Sequence, residues 1–550
     1  MLQVSVAKEP FDAVVVGSGA TGGWAAKRLT EAGWRVALLE AGPKITPKDF
    51  TEHVQPWQLT YLGQSPVIRR ERPIQSLCYA CRESNYQWFV NDLENPYTQE
   101  KPFHWIRQRV LGGRSLSWGR QAYRMSELDF KAASHDGYGD DWPISYDEMV
   151  PYYEIVENYV GISGQSEGLP QLPDSVFLPP MEMTCGETIL RDKVREKMGR
   201  VVTIGRVAIV TKTHNGRAAC HYCGPCEQGC ATFSYFSSPW TTIADAQRTG
   251  RLTLICDAVA ARIPTKDGKA TGVAYIDRVT REPNEVRARV VVLCASTLES
   301  TRLLLNSNIC NQNDALGHYV MDHIYQGGAS GTMPALEARP WAGPPQRPNG
   351  IYIPRFRNVK EKETNGFIRG YGYQGGGSPT FDMGASGFGA AYKDAVRQGT
   401  WNIGITAWCE CLARKENYVE IDPERVDAWG IPILKIHAEY LDNEKKLWQD
   451  AREQGAEMLE AAGAKDVRLN GVHSVPGFCI HEIGTARMGN DPRTSVVNRF
   501  NQAHEVPNIF VTDGACWVSS GCQNPTLTMM AITVRACDYM TIKYATKQAA

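Results

Sequence analysis

The chain of 550 residues and 61.1 kDa is 43% hydrophobic and 22% charged, long enough for about three ordinary domains or two large interleaved ones. Its 59 basic and 60 acidic side chains nearly cancel, which excludes a global field for nucleic acid or anionic membrane. No apolar run approaches the roughly 20 residues of a membrane helix, and the start MLQVSVAKEPFDAVVVGSG lacks the basic, apolar and small-residue regions of a signal peptide.

Residues 11–16, FDAVVV, form a β-branched run that ends at Gly17-Ser18-Gly19-Ala20-Thr21-Gly22-Gly23. The helical stretch WAAKRLTEAG follows, then a second strand, WRVALLEAG, that reaches Glu40. Strand, G-x-G-x-x-G, helix, strand and acid in this order predict a dinucleotide site. Gly17 permits the tight turn, Gly19 lets a pyrophosphate approach the backbone, and Gly22 lets the helix pack on the sheet. The helix N-terminus offers unpaired N–H groups to the phosphates. Glu40 bonds the adenosine ribose and disfavours a 2′-phosphate. This motif alone does not separate FAD from NAD.

Further along, Cys220, Cys223, Cys226 and Cys230 stand in C-x2-C-x2-C-x3-C spacing, four of the chain's sixteen cysteines. That is the ligand spacing of bacterial ferredoxins, and Gly224, Pro225 and Gly229 allow tight wrapping round an inorganic core. Zinc, disulfides and a metal-free loop are the alternatives, although structural zinc sites usually separate two cysteine pairs by a longer loop. Cys78 and Cys81 make a separate C-x2-C pair that reads as chance. RLTLICDAVAARI, TGVAYIDRV and EVRARVVVLCA read as strands with turns between them. Region 325–400, including RGYGYQGGGSPTFDMGASGFG, is rich in Gly, Pro and aromatics and reads as a surface loop. His481 is a base candidate, since neutral imidazole accepts a proton near working pH; the alternative is a hydrogen-bonded core histidine. LTMMAITVRACDYM has helical spacing, and Asn524-Pro525 before it reads as an N-cap with proline at the first helical position. Cys256, Cys294, Cys479 and Cys537 read as small apolar residues.

Three more segments join the glycine loop: RVLGGRSLSWGRQAYRM at 109–125, VVVLCASTLESTRLLL at 290–305, and the carboxyl end with HEIGTARMG, VPNIFVTDGA and GCQNPTLTMMAITVRA. Together they resemble the glucose–methanol–choline (GMC) family of FAD-dependent oxidoreductases. The pattern is most similar to pyranose oxidases and to the flavin subunits of bacterial iron–sulfur sugar dehydrogenases, and DWPISYDEMVPYYEIVENYVGISG at 141–164 has the same look. The resemblance covers nearly the whole chain apart from 330–470.

It implies a mixed α/β (α+β) fold. A Rossmann-like FAD-binding domain would gather residues 1–55, 105–160, 205–320 and 475–550. A discontinuous antiparallel-sheet substrate domain would take 321–474, with contributions from 56–104 and 161–204. The glycine-rich part of 325–400 would then be a mobile lid over a sugar pocket. His481 matches the family's catalytic histidine, and Asn524 matches the partner that bonds the same substrate oxygen. The resemblance places Gly17, Gly19, Ala20, Thr21, Gly22 and Glu40 on FAD, with Gly112, Gly113, Arg114, Ser115, Ser117 and Trp118 in the loop beside the flavin. Ala295, Asp513, Gly514, Pro525 and Thr526 belong to the same set, together with Asn524. Some relatives carry a histidine shortly before this tryptophan, sometimes joined covalently to flavin; Ser117 stands there instead, so the FAD is expected to be noncovalent. Cys220, Cys226 and Cys230 resemble the cysteine pattern of iron–sulfur glucose dehydrogenase subunits, with Cys223 as an extra or fourth ligand of a 3Fe-4S or 4Fe-4S cluster.

The expected activity is oxidation of a secondary hydroxyl of a sugar or glycoside, glucoside C3 preferred, with electrons leaving to a non-oxygen acceptor. A peroxide-forming oxidase is the nearer alternative, and a non-redox lyase on the same fold the more remote one. The expected partners are a small subunit carrying an export signal and a cytochrome c acceptor, with no nucleic acid. The expected location is cytoplasmic, or periplasmic by co-export with such a subunit.

Overall fold

The computed structural model describes residues 9–54, 56–59, 66–336, 347–360, 365–381 and 386–545. Phe11–Val16 lies between Val36–Leu39 and the long strand Pro283–Leu293, parallel to both, and Leu252–Ile255 extends the sheet beyond Val36–Leu39. Ile509–Val511 adds in parallel on the far side of residues 291–293. Strands buried on both faces have no polar side to present, and so the apolar runs Ala13–Val16 and Val290–Leu293 are continuous rather than alternating. The early half of Pro283–Leu293 pairs antiparallel with Gly272–Asp277, which pairs with Ala258–Arg262. The three strand-like runs read in the middle of the sequence are therefore part of the nucleotide-side sheet.

Helix Ala20–Glu31 packs against Thr526–Lys543, which is buried round most of its circumference. An all-round apolar helix belongs in the middle of a molecule, and this one carries its N-terminus to the floor of the cavity described below.

A second, wholly antiparallel sheet runs in the order Lys465–Leu469, Ile324–Thr332, Thr400–Cys409, Tyr371–Thr380, Ile351–Ile353, Thr203–Ile204. Helix Asp442–Ala461 covers one face. The glycine-rich stretch read as a loop or lid is corrected here: Tyr371–Thr380 is an inner strand, paired residue for residue with Thr400–Cys409. A Cβ at Gly375 would sit 2.2 Å from the Gly404 carbonyl oxygen, so glycine there serves close backbone approach, not closure. Residues 382–385 of that stretch lie outside the described residues. No helix among the described residues is long and apolar enough to cross a membrane.

Candidate active site

Phe11–Val16 delivers the chain to Gly17, whose φ of +97° is left-handed and strained for any side chain. A Cβ there would stand 2.4 Å from the Cys294 oxygen, and one at Gly22 would stand 1.8 Å from the Gly17 oxygen. Gly19 differs: no protein atom lies within 4 Å of where its Cβ would be. That open space belongs to a cavity of about 950 Å³, onto which Gly17, Gly19, Ala20 and Thr21 face. Gly22 and Gly112 stand behind it as packing positions.

Glu40 ends the second strand, buried at the cavity wall. Its carboxylate accepts from the Ser18 hydroxyl, from Gly42 N at 2.8 Å and from Ser18 N at 3.3 Å. Burial pushes its proton affinity up, and these donors pull against that. The Gly113–Leu116 turn is laced to the same point. Gly112 N donates to Ser18 Oγ at 2.8 Å, Ser115 Oγ to Gly112 O at 2.6 Å, and Ser238 Oγ to Ser18 O at 2.7 Å. Trp118 is anchored by its Nε1 on Phe236 O at 3.0 Å. Gly113, Arg114, Ser115, Ser117 and Trp118 all border the cavity, as do Ala295, Asp513, Gly514, Pro525 and Thr526. Asp513 accepts from Ser300 Oγ at 2.5 Å and Ala515 N at 3.0 Å, and burial raises it to about 6.

At the other end, His481 and Asn524 meet: Asn524 Nδ2 lies 3.3 Å from His481 Nε2. The Asn524 side chain does not cap the helix, which corrects the N-cap reading; the helix starts at Thr526, and Asn524 Oδ1 instead takes a hydrogen bond from Gln374 Nε2 at 2.6 Å. Burial above all holds the His481 imidazole well below its ordinary range, so it is neutral and has a ring nitrogen to accept a proton. Cys479, read as a small apolar residue, lies with its Sγ 3.4 Å from His481 Nδ1 at the cavity wall. Tyr325, Trp408 and Phe478 form an aromatic wall beside it, with Tyr325–Trp408 centroids 4.8 Å apart.

Three participants carried no local signal. His323 puts Nδ1 2.8 Å from His481 Nδ1 and is buried. Asp322 receives the backbone N–H groups of Gly477, Cys479 and His481 at 2.8–3.2 Å, which fixes the histidine loop. Gln374 comes from the glycine-rich inner strand. Only the tertiary fold brings these three to the histidine.

The residues present fit FAD. The cavity joins an elongated phosphate-and-ribose end to a reactive end, and Gly19 leaves it a cradle that a Cβ would fill. Polar atoms buried on its wall lack partners among the described residues, among them both amide atoms of Gln108 and Glu482 Oε1.

The cysteine loop lies against this cavity, to which it contributes Gly224 and Glu227. All sixteen cysteines are unbridged. No three of Cys220, Cys223, Cys226 and Cys230 bring their sulfurs within 4.8 Å of one another; among the described residues only His323, Cys479 and His481 bring three such side-chain atoms that close. A tetrahedral zinc with bonds of about 2.3 Å needs sulfurs under about 4 Å apart. Tyr222 N and Ser234 N point at Cys220 Sγ and Cys230 Sγ at 3.4 and 3.3 Å. The buried Arg120 guanidinium lies beside this loop, 3.9 Å from the Glu227 carboxylate.

Similarity to known proteins extends over nearly the whole chain. Residues 11–325 and 413–533 match the amino- and carboxyl-terminal GMC oxidoreductase domains, and the chain belongs to that family. It is thus an FAD-dependent oxidoreductase of alcohol groups. It is 29% identical to 2-methyl-1,2-propanediol dehydrogenase of Mycolicibacterium austroafricanum, covering 98% of this chain and 97% of the other. The fructose dehydrogenase large subunit of Gluconobacter japonicus is 26% identical over 96% and 97%. The solved structure of pyridoxine 4-oxidase from Mesorbium loti superposes with a TM-score of 0.61 over 96% of this chain and 98% of its own, at 17% identity, which speaks for the fold alone.

Proposed function

We propose that this protein is a dehydrogenase that oxidises a secondary hydroxyl of a sugar or glycoside, with C3 of a glucoside the preferred position. The observation that carries it is the convergence of His481 Nε2 and Asn524 Nδ2 within 3.3 Å, at the end of the cavity walled by Tyr325, Trp408 and Phe478. Aromatic faces stack on sugar rings, while the two polar atoms meet a single hydroxyl. His481 Nε2 takes the hydroxyl proton, and the Asn524 amide donates to the oxygen as charge develops there. Gln374 holds the amide turned that way. FAD, when bound, supplies the two-electron acceptor for the hydride leaving carbon.

Cys220, Cys223, Cys226 and Cys230 would hold a 3Fe-4S or 4Fe-4S cluster, which supplies a one-electron outlet. Its place against the cavity wall suits transfer outward to a cytochrome c. Similarity to a protein named as a large subunit supports a small partner subunit, which would also carry the export signal. With Ser117 beside Trp118, the FAD is held without a histidyl bond, so acid precipitation should release all flavin into the filtrate.

The test is turnover of a panel of glucosides with cytochrome c or oxygen as acceptor, with the oxidised carbon identified. A 3-keto product with cytochrome reduction and little peroxide supports the proposal. Stoichiometric peroxide would assign an oxidase instead, and a product oxidised elsewhere would move the preferred carbon. His481→Gln should lower kcat by roughly 10²–10⁴-fold with flavin retained.

A further inference from the structure

The buried hydrogen-bond chain behind His481 has its direction set at one end. The Gly521 carbonyl oxygen can only accept, so His323, whose Nε2 lies 2.6 Å from it, must carry its proton on Nε2. In neutral His323 the other nitrogen, Nδ1, is then a bare acceptor. It lies 2.8 Å from His481 Nδ1, and that contact needs one proton, which only His481 can supply. His481 Nε2 is therefore bare in the neutral ring. Asn524 must present its NH2 to that nitrogen, its Oδ1 must accept, and Gln374 must donate through Nε2. With His323 neutral, every link follows from the Gly521 carbonyl.

We infer that His323 is a positioning residue that locks His481 in its Nδ1–H tautomer and so keeps Nε2 bare toward the substrate hydroxyl. The inference rests on His481 as the base. The surroundings of His323 favour this role, since it is 1% exposed, its carbonyl is held by Tyr440 Oη at 2.8 Å, and burial lowers its pKa to about 4. It consequently stays a neutral acceptor at physiological pH instead of competing for the proton. The other charged or titratable groups around His481 have separate partners. Arg114 from the 113–116 turn pairs with Glu482 at 2.9 Å, and Asp322 binds backbone N–H groups. Cys479 lies on the histidine's own loop, with its thiol pushed up by burial.

An accepting nitrogen at Nδ1 favours the His481 imidazolium more than the neutral ring, because the donated proton becomes more acidic. Its removal should weaken the base as well as free the tautomer. In the holoenzyme, His323→Leu should lower kcat by roughly 10–100-fold with KM within about threefold, and shift the acid limb of kcat/KM to lower pH. In His323→Asn, Oδ1 falls where Nδ1 was and still accepts, so most of the lost kcat and the original acid limb should return. In the unsubstituted holoenzyme labelled with 15N-histidine, His481 should show a pyridine-type Nε2, identified by its loss in His481→Gln. A wild-type pH profile and kcat in His323→Leu would overturn the proposal. So would a His323→Asn variant as impaired as His323→Leu, or a pyridine-type Nδ1. Should His323→Leu not fold, the asparagine variant and the nitrogen spectrum decide. Retained turnover in His481→Gln would instead overturn the assignment of the base.

Discussion

Gly19, the N-cap of helix Ala20–Glu31, and Gly22, in its first turn, stand three residues apart, and an added methyl meets different things at each. At Gly22 it meets the Gly17 carbonyl at 1.8 Å; at Gly19 it meets only the cavity. Gly19→Ala should therefore keep the apoprotein's melting temperature while lowering flavin content, and Gly22→Ala should lower both, as thermal melts and flavin absorbance would show. Asp322 adds a pH dependence. Burial raises its carboxyl to about 8, with the Glu482 charge adding to the rise and its backbone donors opposing it. A raised folded value means that the neutral acid favours the folded state. This contribution is complete below the unfolded value near 4 and is lost as pH rises through about 8. The melting temperature should fall progressively between about pH 5 and 8 and level off above that, and Asp322→Asn should flatten the fall. The glycine loop was legible because its chemistry depends on local spacing, and the four motif segments named the family. Asp322 and His323 were not, since nothing near them in the chain says that residues 477–481 will fold back onto them.

The strand Tyr371–Thr380 shows the limit of composition at the level of elements. In one dimension, a glycine needed for close strand approach is indistinguishable from one needed for a turn, so RGYGYQGGGSPT read as a loop. The physical difference lies across the sheet. A Cβ at Gly375 would come 2.2 Å from the Gly404 oxygen and 2.8 Å from Ile405 Cα, whereas one at Gly404 would meet Ser330 Cβ at an ordinary 3.4 Å. Gly375→Ala should cost about 1–3 kcal/mol in urea unfolding, and Gly404→Ala should cost less than about 1 kcal/mol. Because Gln374 rides on this strand, the alanine at 375 should also reduce turnover by loosening the Asn524 amide. The carboxyl-terminal helix was the opposite case. Its apolar residues at helical spacing marked it as a helix, and the structure adds that it is buried round most of its circumference.

For the whole molecule, the near-zero net charge still means that partners meet local surfaces, and the cysteine loop is where electrons would reach one. The purified holoenzyme should contain iron and acid-labile sulfide, and Cys226→Ser should lose both while keeping flavin. Zinc in their place would refute the cluster. Under the proposed function one sheet would present backbone to phosphates and the other side chains to the substrate, and the cavity between them carries the central claim. That claim is tested most directly by adding a glucoside to the oxidised holoenzyme without oxygen and following the flavin absorbance. The expected result is bleaching, with one oxidised sugar formed per flavin, and bleaching slowed by roughly 10²-fold or more in His481→Gln. Product formed with the flavin band unchanged, or equal bleaching in His481→Gln, would contradict it.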